Sequence, residues 1–224
     1  MRVVLTREAG LNDSLRSLVP GDALISEVPL TQTNFFEVQS VIEAIATKQH
    51  FGALALSSAR SARYVPAVLT LWPGVPLYSV GAATAEALDR LGIRSHWVGE
   101  SGAEELALAI AEGPVLFLGA SESRLELSEG LAQRGIELLE VPCYQTVHRT
   151  LSPAEIAEIA SADVVFIGAP SAWSVAETHI NSESLVVVSG ATTAAVVRNS
   201  HARVQSGWGE ETRELLAEMA KSNN

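Results

Sequence analysis

The chain has 224 residues, 47% of them hydrophobic, with 15 basic against 26 acidic side chains and a formal net charge of −11. That balance disfavours general binding to nucleic acid or to an anionic membrane surface, and the length fits one large domain or two small ones. The single Cys143 cannot form an intramolecular disulfide and suits a reducing compartment, so the cytoplasm is the expected location. The N-terminal Met1–Arg7 carries no apolar signal region and no later segment reaches membrane-spanning length.

Short apolar runs alternate with segments of helical spacing. Val3-Val4-Leu5 reads as a first strand. Leu11, Leu15 and Leu18 at i, i+4, i+7 form one face of a helix closed by Gly21, and Ala23-Leu24-Ile25 is the next strand. A helix over Phe36–Ala46, a strand at Ala53–Leu56, a helix over Ala59–Leu71, a strand at Leu77–Val80 and a helix over Thr84–Leu91 ended by Gly92 follow. Then come a helix over Glu104–Ala111, a strand at Val115–Leu118 and a helix over Glu122–Arg134 stopped by Gly135. Ser152, Pro153 and Glu155 make a capping box for a helix over Ala154–Ala160. Strands at Val164–Ile167 and Leu185–Val188 and a helix over Glu211–Ala220 complete the chain. This alternation is the signature of parallel α/β units.

The chain is also duplicated. Glu27-Val28-Pro29-Leu30-Thr31-Gln32-Thr33 recurs in form as Glu140-Val141-Pro142-Cys143-Tyr144-Gln145-Thr146, and Ser79-Val80-Gly81-Ala82-Ala83-Thr84-Ala85 as Val188-Ser189-Gly190-Ala191-Thr192-Thr193-Ala194. The offset from Gly81 to Gly190 also carries Leu106 onto Leu215, and nearly the same offset carries Leu56-Ser57-Ser58 onto Ile167-Gly168-Ala169. Proline inside each copy of the frame removes a ladder donor, so an edge strand or a short crossing ribbon is expected there rather than a central strand. Two crossings imply one split domain, 1–29 with 146–224, and one continuous domain, 34–140, joined by ribbon segments 27–33 and 140–146. The expected fold class is α/β, two doubly wound parallel-sheet domains joined by a two-stranded ribbon.

In such sheets the loops at the carboxyl ends of the strands gather round one crevice and aim helix N-termini into it. Four small-polar loops hold that position: Ser57-Ser58-Ala59-Arg60, Gly81-Ala82-Ala83-Thr84, Gly168-Ala169-Pro170-Ser171 and Gly190-Ala191-Thr192-Thr193. Each either holds an oxyanion or merely caps a helix and permits a tight turn. Only Lys48 and Lys221 are lysine, so a bound anion would be gripped by arginine, whose planar fork suits carboxylates. No phosphate-loop or dinucleotide fingerprint is present, nor any H-E-x-x-H, C-x-x-C or G-x-S-x-G. His50, His96, His148, His179 and His201 are expected at the surface, and Cys143 with His148 lacks the orienting acid of a catalytic dyad.

The chain resembles the uroporphyrinogen-III synthases over nearly its whole length. The likeness rests on Leu5-Thr6-Arg7, Leu56-Ser57-Ser58-Ala59-Arg60, Val80-Gly81-Ala82-Ala83-Thr84-Ala85, Ser101-Gly102-Ala103-Glu104, Tyr144-Gln145-Thr146, Pro170-Ser171 and Gly190-Ala191-Thr192-Thr193-Ala194 in that order. Ala169 stands where the family usually has serine, and Ala59 and Ala191 where it often has proline. The resemblance implies two flavodoxin-like lobes with the substrate in the interlobe cleft; a large hinge motion of the two is expected because two ribbon segments are their main tie. It implies as substrate hydroxymethylbilane, with eight carboxylates, closed without cofactor or metal by loss of water and inversion of pyrrole ring D.

Of the site residues, Tyr144 looks like the catalytic acid, its repeat counterpart being Thr31, or else it packs its ring under the ribbon. Substrate contacts are expected from Arg7, Ser57, Ser58, Arg60, Gly81, Thr84, Arg124, Pro170, Ser171, Gly190, Thr192 and Thr193, with a solvated surface charge as the alternative for each arginine. The expected partners are the substrate and, transiently, the enzyme that supplies it, and the protein is expected to be a monomer. A reading from another class is a two-lobed binding protein that clamps a small anion without reacting it.

Overall fold

In the computed structural model, residues 1–46, 50–100, 102–121 and 126–222 are described. Eleven strands and ten helices appear among them: β1 Arg2–Leu5, α1 Asp13–Arg16, β2 Leu24–Glu27, β3 Thr31–Phe35, α2 Val38–Ile45, β4 Ala53–Leu56, a 3-10 turn Ala59–Tyr64 running into α3 Val65–Leu71, and β5 Leu77–Val80. They continue as α4 Ala82–Asp89, β6 Trp97–Gly99, α5 Ala103–Ala109, β7 Val115–Ala120, α6 Glu126–Gln133, β8 Leu138–His148, α7 Pro153–Ala160 and β9 Val164–Ile167. Last come α8 Pro170–Ala176, β10 Leu185–Val188, α9 Ala191–Val197, β11 Val204–Ser206 and α10 Glu210–Ser222. The chain divides into two compact units, Met1–Gln32 with Val147–Asn224, and Thr33–Thr146. It passes from the first to the second within β3 and returns within β8.

The first unit's sheet has the order β2-β1-β9-β10-β11, with every pair parallel. In chain order this is 2-1-3-4-5, the flavodoxin-like winding. The second unit's sheet runs β3-β8-β7-β4-β5-β6, and its core order β8-β7-β4-β5-β6 is also parallel throughout. Matching β4 to β9, β5 to β10, β6 to β11, β7 to β1 and β8 to β2 superposes the two orders strand for strand. The halves are thus one design entered at different points, which is what the repeated sequence frames predict.

Each central strand is apolar on both faces because helices cover both. In the second unit Leu54, Leu56, Leu116 and Leu118 face α2, α3 and α4, while Ala53, Ala55, Val115 and Phe117 face α5 and α6. In the first, Val4, Val165, Ile167, Val186 and Val188 face α7, α8 and α9, and Val3, Leu5, Val164, Phe166 and Val187 face α1 and α10. Successive residues of a strand point to opposite sides, so a continuous hydrophobic run serves two cores. Fully burying each large side chain is worth about 1.5–3 kcal/mol.

Several sequence expectations change. The helix over Leu11–Leu18 shrinks to the single turn of α1, with Leu11 exposed. Asn12 is buried instead and its amide donates to the Arg7 carbonyl at 3.2 Å, tying down the segment before the helix. Leu18 and Val19 close with i→i−3 bonds ahead of Pro20. The expected helix over Ala59–Leu71 begins as a 3-10 turn. The three-residue strands β6 and β11 and the helix α8 carried too little periodicity to be read. Of the expected helix over Glu122–Arg134, residues 122–125 lie outside the described residues and the rest forms α6.

Pro142 is not at a sheet edge: β8 lies between β3 and β7. The ladder absorbs the missing donor with a bulge. Gly119 pairs with Pro142 and Ala120 with Tyr144, so Cys143 is the extra residue. Breaking the two-residue alternation in this way puts both Cys143 and Tyr144 into one core cluster. His201 is also misplaced by the sequence reading. It is buried, its Nε2 lies 2.8 Å from the Ser184 carbonyl oxygen, and its ring meets Trp173 edge to face.

Candidate active site

In each sheet the winding reverses direction between two neighbouring strands, and there the loops leaving their carboxyl ends diverge and open a crevice. In the first unit these strands are β1 and β9. Arg7 follows β1, and Gly168, Ala169, Pro170 and Ser171 follow β9. In the second unit they are β4 and β7. Ser57, Ser58 and Arg60 follow β4, and Ser121 follows β7. The next segment, which holds the expected contact Arg124, lies outside the described residues. Gly81 and Thr84 follow β5, and Gly190, Thr192 and Thr193 follow β10. Every described site residue apart from Tyr144 therefore lies past the carboxyl end of a parallel strand. The groove of about 590 Å³ lined by Asp163, Glu183, Ser184 and Arg203 sits at the opposite, amino ends of β9, β10 and β11.

The loops differ in what they expose. Ser57, Ser171 and Thr192 are exposed, while Thr84 and Thr193 are turned into the protein. The Thr193 hydroxyl lies 3.4 Å from that of Ser189. Ser58 caps the 3-10 turn, accepting from the Arg60 backbone N–H at 3.3 Å. Its repeat counterpart Ala169 occupies the N-cap of α8 and offers no such bond, which is the cost of alanine at this position. Gly81, N-cap of α4, has φ +84°, a conformation that only glycine adopts without strain. Gly190 caps α9 in extended backbone and needs no such freedom.

In the first unit the Arg7 guanidinium carbon lies 5.5 Å from the centre of the Trp208 ring. A Cβ added to Gly168 would meet Trp208 at 3.6 Å and Arg7 at 3.8 Å. The loop after β9, the loop after β1 and the segment after β11 therefore converge on one arginine. Asn12 Oδ1 and Trp208 Nε1, both beside it in the chain's packing or sequence, are buried without a hydrogen-bond partner among the described residues.

In the second unit the candidate acid is Tyr144, 6% exposed. Its carbonyl accepts from the Ser121 N–H at 2.9 Å and lies 3.3 Å from the Ser121 hydroxyl, which pins β8 to the end of β7. The Arg60 guanidinium carbon stands 5.7 Å from the Tyr144 ring centre, and the ring of Phe35 lies 6.2 Å away. Sequence reasoning missed Tyr64, Phe35 and Arg63. The Tyr64 hydroxyl lies 2.7 Å from the Phe36 carbonyl oxygen and 2.6 Å from that of Cys143, so it ties β3 to β8 beside Tyr144. Desolvation, reinforced by Cys143, holds its pKa above the ordinary phenol value. Cys143 is buried and its thiol is pushed up to about 12 by desolvation, so it is no nucleophile at neutral pH. Among the described residues no three His, Cys, Asp or Glu side chains cluster as a metal site, and no helix is long and apolar enough to cross a membrane.

Two sheets wound alike, with polar loops and arginines at the carboxyl ends of their strands, define a duplicated α/β protein of the doubly wound class. Solved structures share this fold. Uroporphyrinogen-III synthetase from Helicobacter pylori matches with a TM-score of 0.64 at 18% identity, covering 100% of both chains. A mutant uroporphyrinogen III synthase from the extremely thermophilic bacterium Thermus thermophilus matches with a TM-score of 0.63 at 15% identity, covering 100% of this chain and 98% of the other. The family model described as uroporphyrinogen-III synthase HemD matches residues 22–206. The chain belongs to the uroporphyrinogen-III synthase family, and is an enzyme of the cyclising lyase class in tetrapyrrole biosynthesis.

Proposed function

We propose that this protein closes hydroxymethylbilane to uroporphyrinogen III, with loss of water and inversion of ring D, and that Tyr144 is the acid. The observation that carries the reading is the placement of Tyr144 in a family member. A phenol on a bulged strand, its backbone held by Ser121 and its ring beside the Arg60 guanidinium, is a fixed proton donor next to a cation.

The departing hydroxyl takes the phenolic proton and leaves as water, and the pyrrole nitrogen lone pair stabilises the methylene cation left behind. General acid help of this kind contributes about 10²–10⁴-fold. The Arg60 guanidinium, beside the Tyr144 ring, has the planar fork that suits a substrate carboxylate. Arg7, Arg60 and Arg124, with the polar loops at Ser57, Ser58, Gly81, Thr84, Pro170, Ser171, Gly190, Thr192 and Thr193, serve the carboxylates. Thr193 contributes through its backbone, since its side chain is buried, while Thr84, whose N–H donates to the Gly81 carbonyl at 3.0 Å, shapes the loop. Uncatalysed closure gives the non-inverted isomer, so the larger task is conformational: holding the chain so that ring D reacts at its substituted carbon.

The protein works in the cytoplasm as a monomer and meets the enzyme that supplies its substrate only transiently. Mixing purified protein with freshly generated hydroxymethylbilane and identifying the product isomer tests the reading. A type III product supports it, whereas a protein that only clamps an anion leaves the spontaneous type I product dominant.

A further inference from the structure

Arg60 and Arg63 sit three residues apart on the 3-10 turn Ala59–Tyr64, and at three residues per turn they stand in one column. Each stacks on a different ring. Arg60 lies 5.7 Å from the centre of Tyr144 and Arg63 lies 4.5 Å from the centre of Phe35. The two rings touch, with centroids 6.2 Å apart and planes tilted by 54°. The order is cation, ring, ring, cation.

This ladder is built rather than incidental. Phe35 ends β3 and Tyr144 lies in β8. The fully buried Tyr64, next to Arg63, joins the two strands through the carbonyls of Phe36 and Cys143, each one residue from a stacked ring. The Phe36 N–H donates to the same Cys143 carbonyl at 2.9 Å. Yet the outer half is left open to water: Phe35 is 41% exposed and Arg63 is exposed. Among the described residues no carboxylate pairs with Arg63. The nearby acid is Glu37, whose charge reaches Tyr64. A guanidinium held over an aromatic ring still has a planar N–H fork that fits a carboxylate.

Resting on the tetrapyrrole reading above, we propose that Phe35 and Arg63 are substrate-contacting residues that extend the site beyond Tyr144 and Arg60. The ladder takes one pyrrole of the substrate. The exposed edge of Phe35 receives the ring, and Arg60 and Arg63 each receive one of the two carboxylates that the ring carries.

The test has two arms. In steady-state assays on hydroxymethylbilane, Arg63→Ala and Phe35→Ala each raise KM about tenfold, as expected for one charged hydrogen bond or one stacked ring. Both leave kcat within about twofold; Arg63→Ala leaves the melting temperature unchanged, whereas Phe35→Ala lowers it slightly through the lost contact with the Tyr144 ring. Phe35→Tyr restores KM, and Arg63→Lys restores part of it. In the second arm, NMR titration follows a free pyrrole bearing two adjacent carboxyalkyl groups. The wild type binds it saturably in the millimolar range and Arg63→Ala weakens that binding about tenfold. An unchanged KM in both alanine variants, no saturable binding of the probe, or equal binding by wild type and Arg63→Ala each overturns the proposal. The outcomes separate the two readings. A wild type that makes type III product with KM indifferent to Arg63 sinks only this inference. A wild type that binds the pyrrole through Arg63 but leaves type I product sinks only the synthase function.

Discussion

The hydroxyl of Tyr64 lies 2.6 Å from the carbonyl oxygen of Cys143, the residue before Tyr144. That phenol, wholly buried, also reaches the Phe36 carbonyl, so one side chain fixes the strand that carries the proposed acid. Tyr64→Phe keeps the ring but removes the one O–H proton shared by two carbonyls; the Cys143 carbonyl retains the Phe36 N–H at 2.9 Å, so the loss is about 1 kcal/mol. We expect the denaturant midpoint to fall accordingly and kcat to drop. A variant as stable and active as the wild type would show the tie to be idle.

Cys143 gives a pH-dependent prediction. Its thiol titrates near 9.0 when unfolded and at about 12 in the folded protein, because burial disfavours the thiolate. Between those values the unfolded chain has lost a proton that the folded one keeps, so stability is full below about pH 9 and falls as the pH rises towards 12. Tyr64, raised for the same reason, adds to the slope above its ordinary value of 10.0. Chemical unfolding at stepped pH reads this loss, and Cys143→Ala should flatten the part that begins at pH 9. The native thiol should also resist alkylation at neutral pH.

Ser152 separates stability from activity. Its side chain accepts from the Glu155 N–H at 3.3 Å while the Glu155 carboxylate accepts from the Ser152 N–H at 2.8 Å. Ser152→Ala removes one half of this box and should cost about 1 kcal/mol. Because α7 follows the chain's return from the second unit and carries no site residue, KM and kcat should stay at wild-type values while the thermal midpoint falls.

The layered architecture was legible because its causes are local. Runs such as Val164–Ile167 and Leu185–Val188 are apolar on both faces only when helices cover both, and the repeated frames report strands that recur in the same spatial order. The placement of the candidate loops was legible in outline: Arg7, Ser58, Arg60 and Gly81 all fall past strand ends because strand-to-loop boundaries show in sequence. What stayed hidden depends on distant partners. Phe35 precedes one expected helix and Arg63 falls within another, and nothing in their spacing reports that the fold brings them together. Tyr64 falls within the expected helix over Ala59–Leu71, and its reach to the Phe36 and Cys143 carbonyls has no local signal. His201 took a buried place because the Ser184 carbonyl satisfies it. Pro142 argued against an inner strand, and the bulge at Cys143 that accommodates it leaves no trace in residue spacing.

The most direct measurement is the isomer composition of the product formed from freshly generated hydroxymethylbilane by the wild type and by Tyr144→Phe. Type III uroporphyrinogen is expected from the wild type, and from the variant a rate lower by about 10²-fold or more with type I product rising as spontaneous closure overtakes it. Type I product from the wild type would contradict the function, and a fully active Tyr144→Phe with an unchanged isomer ratio would contradict the assignment of the acid.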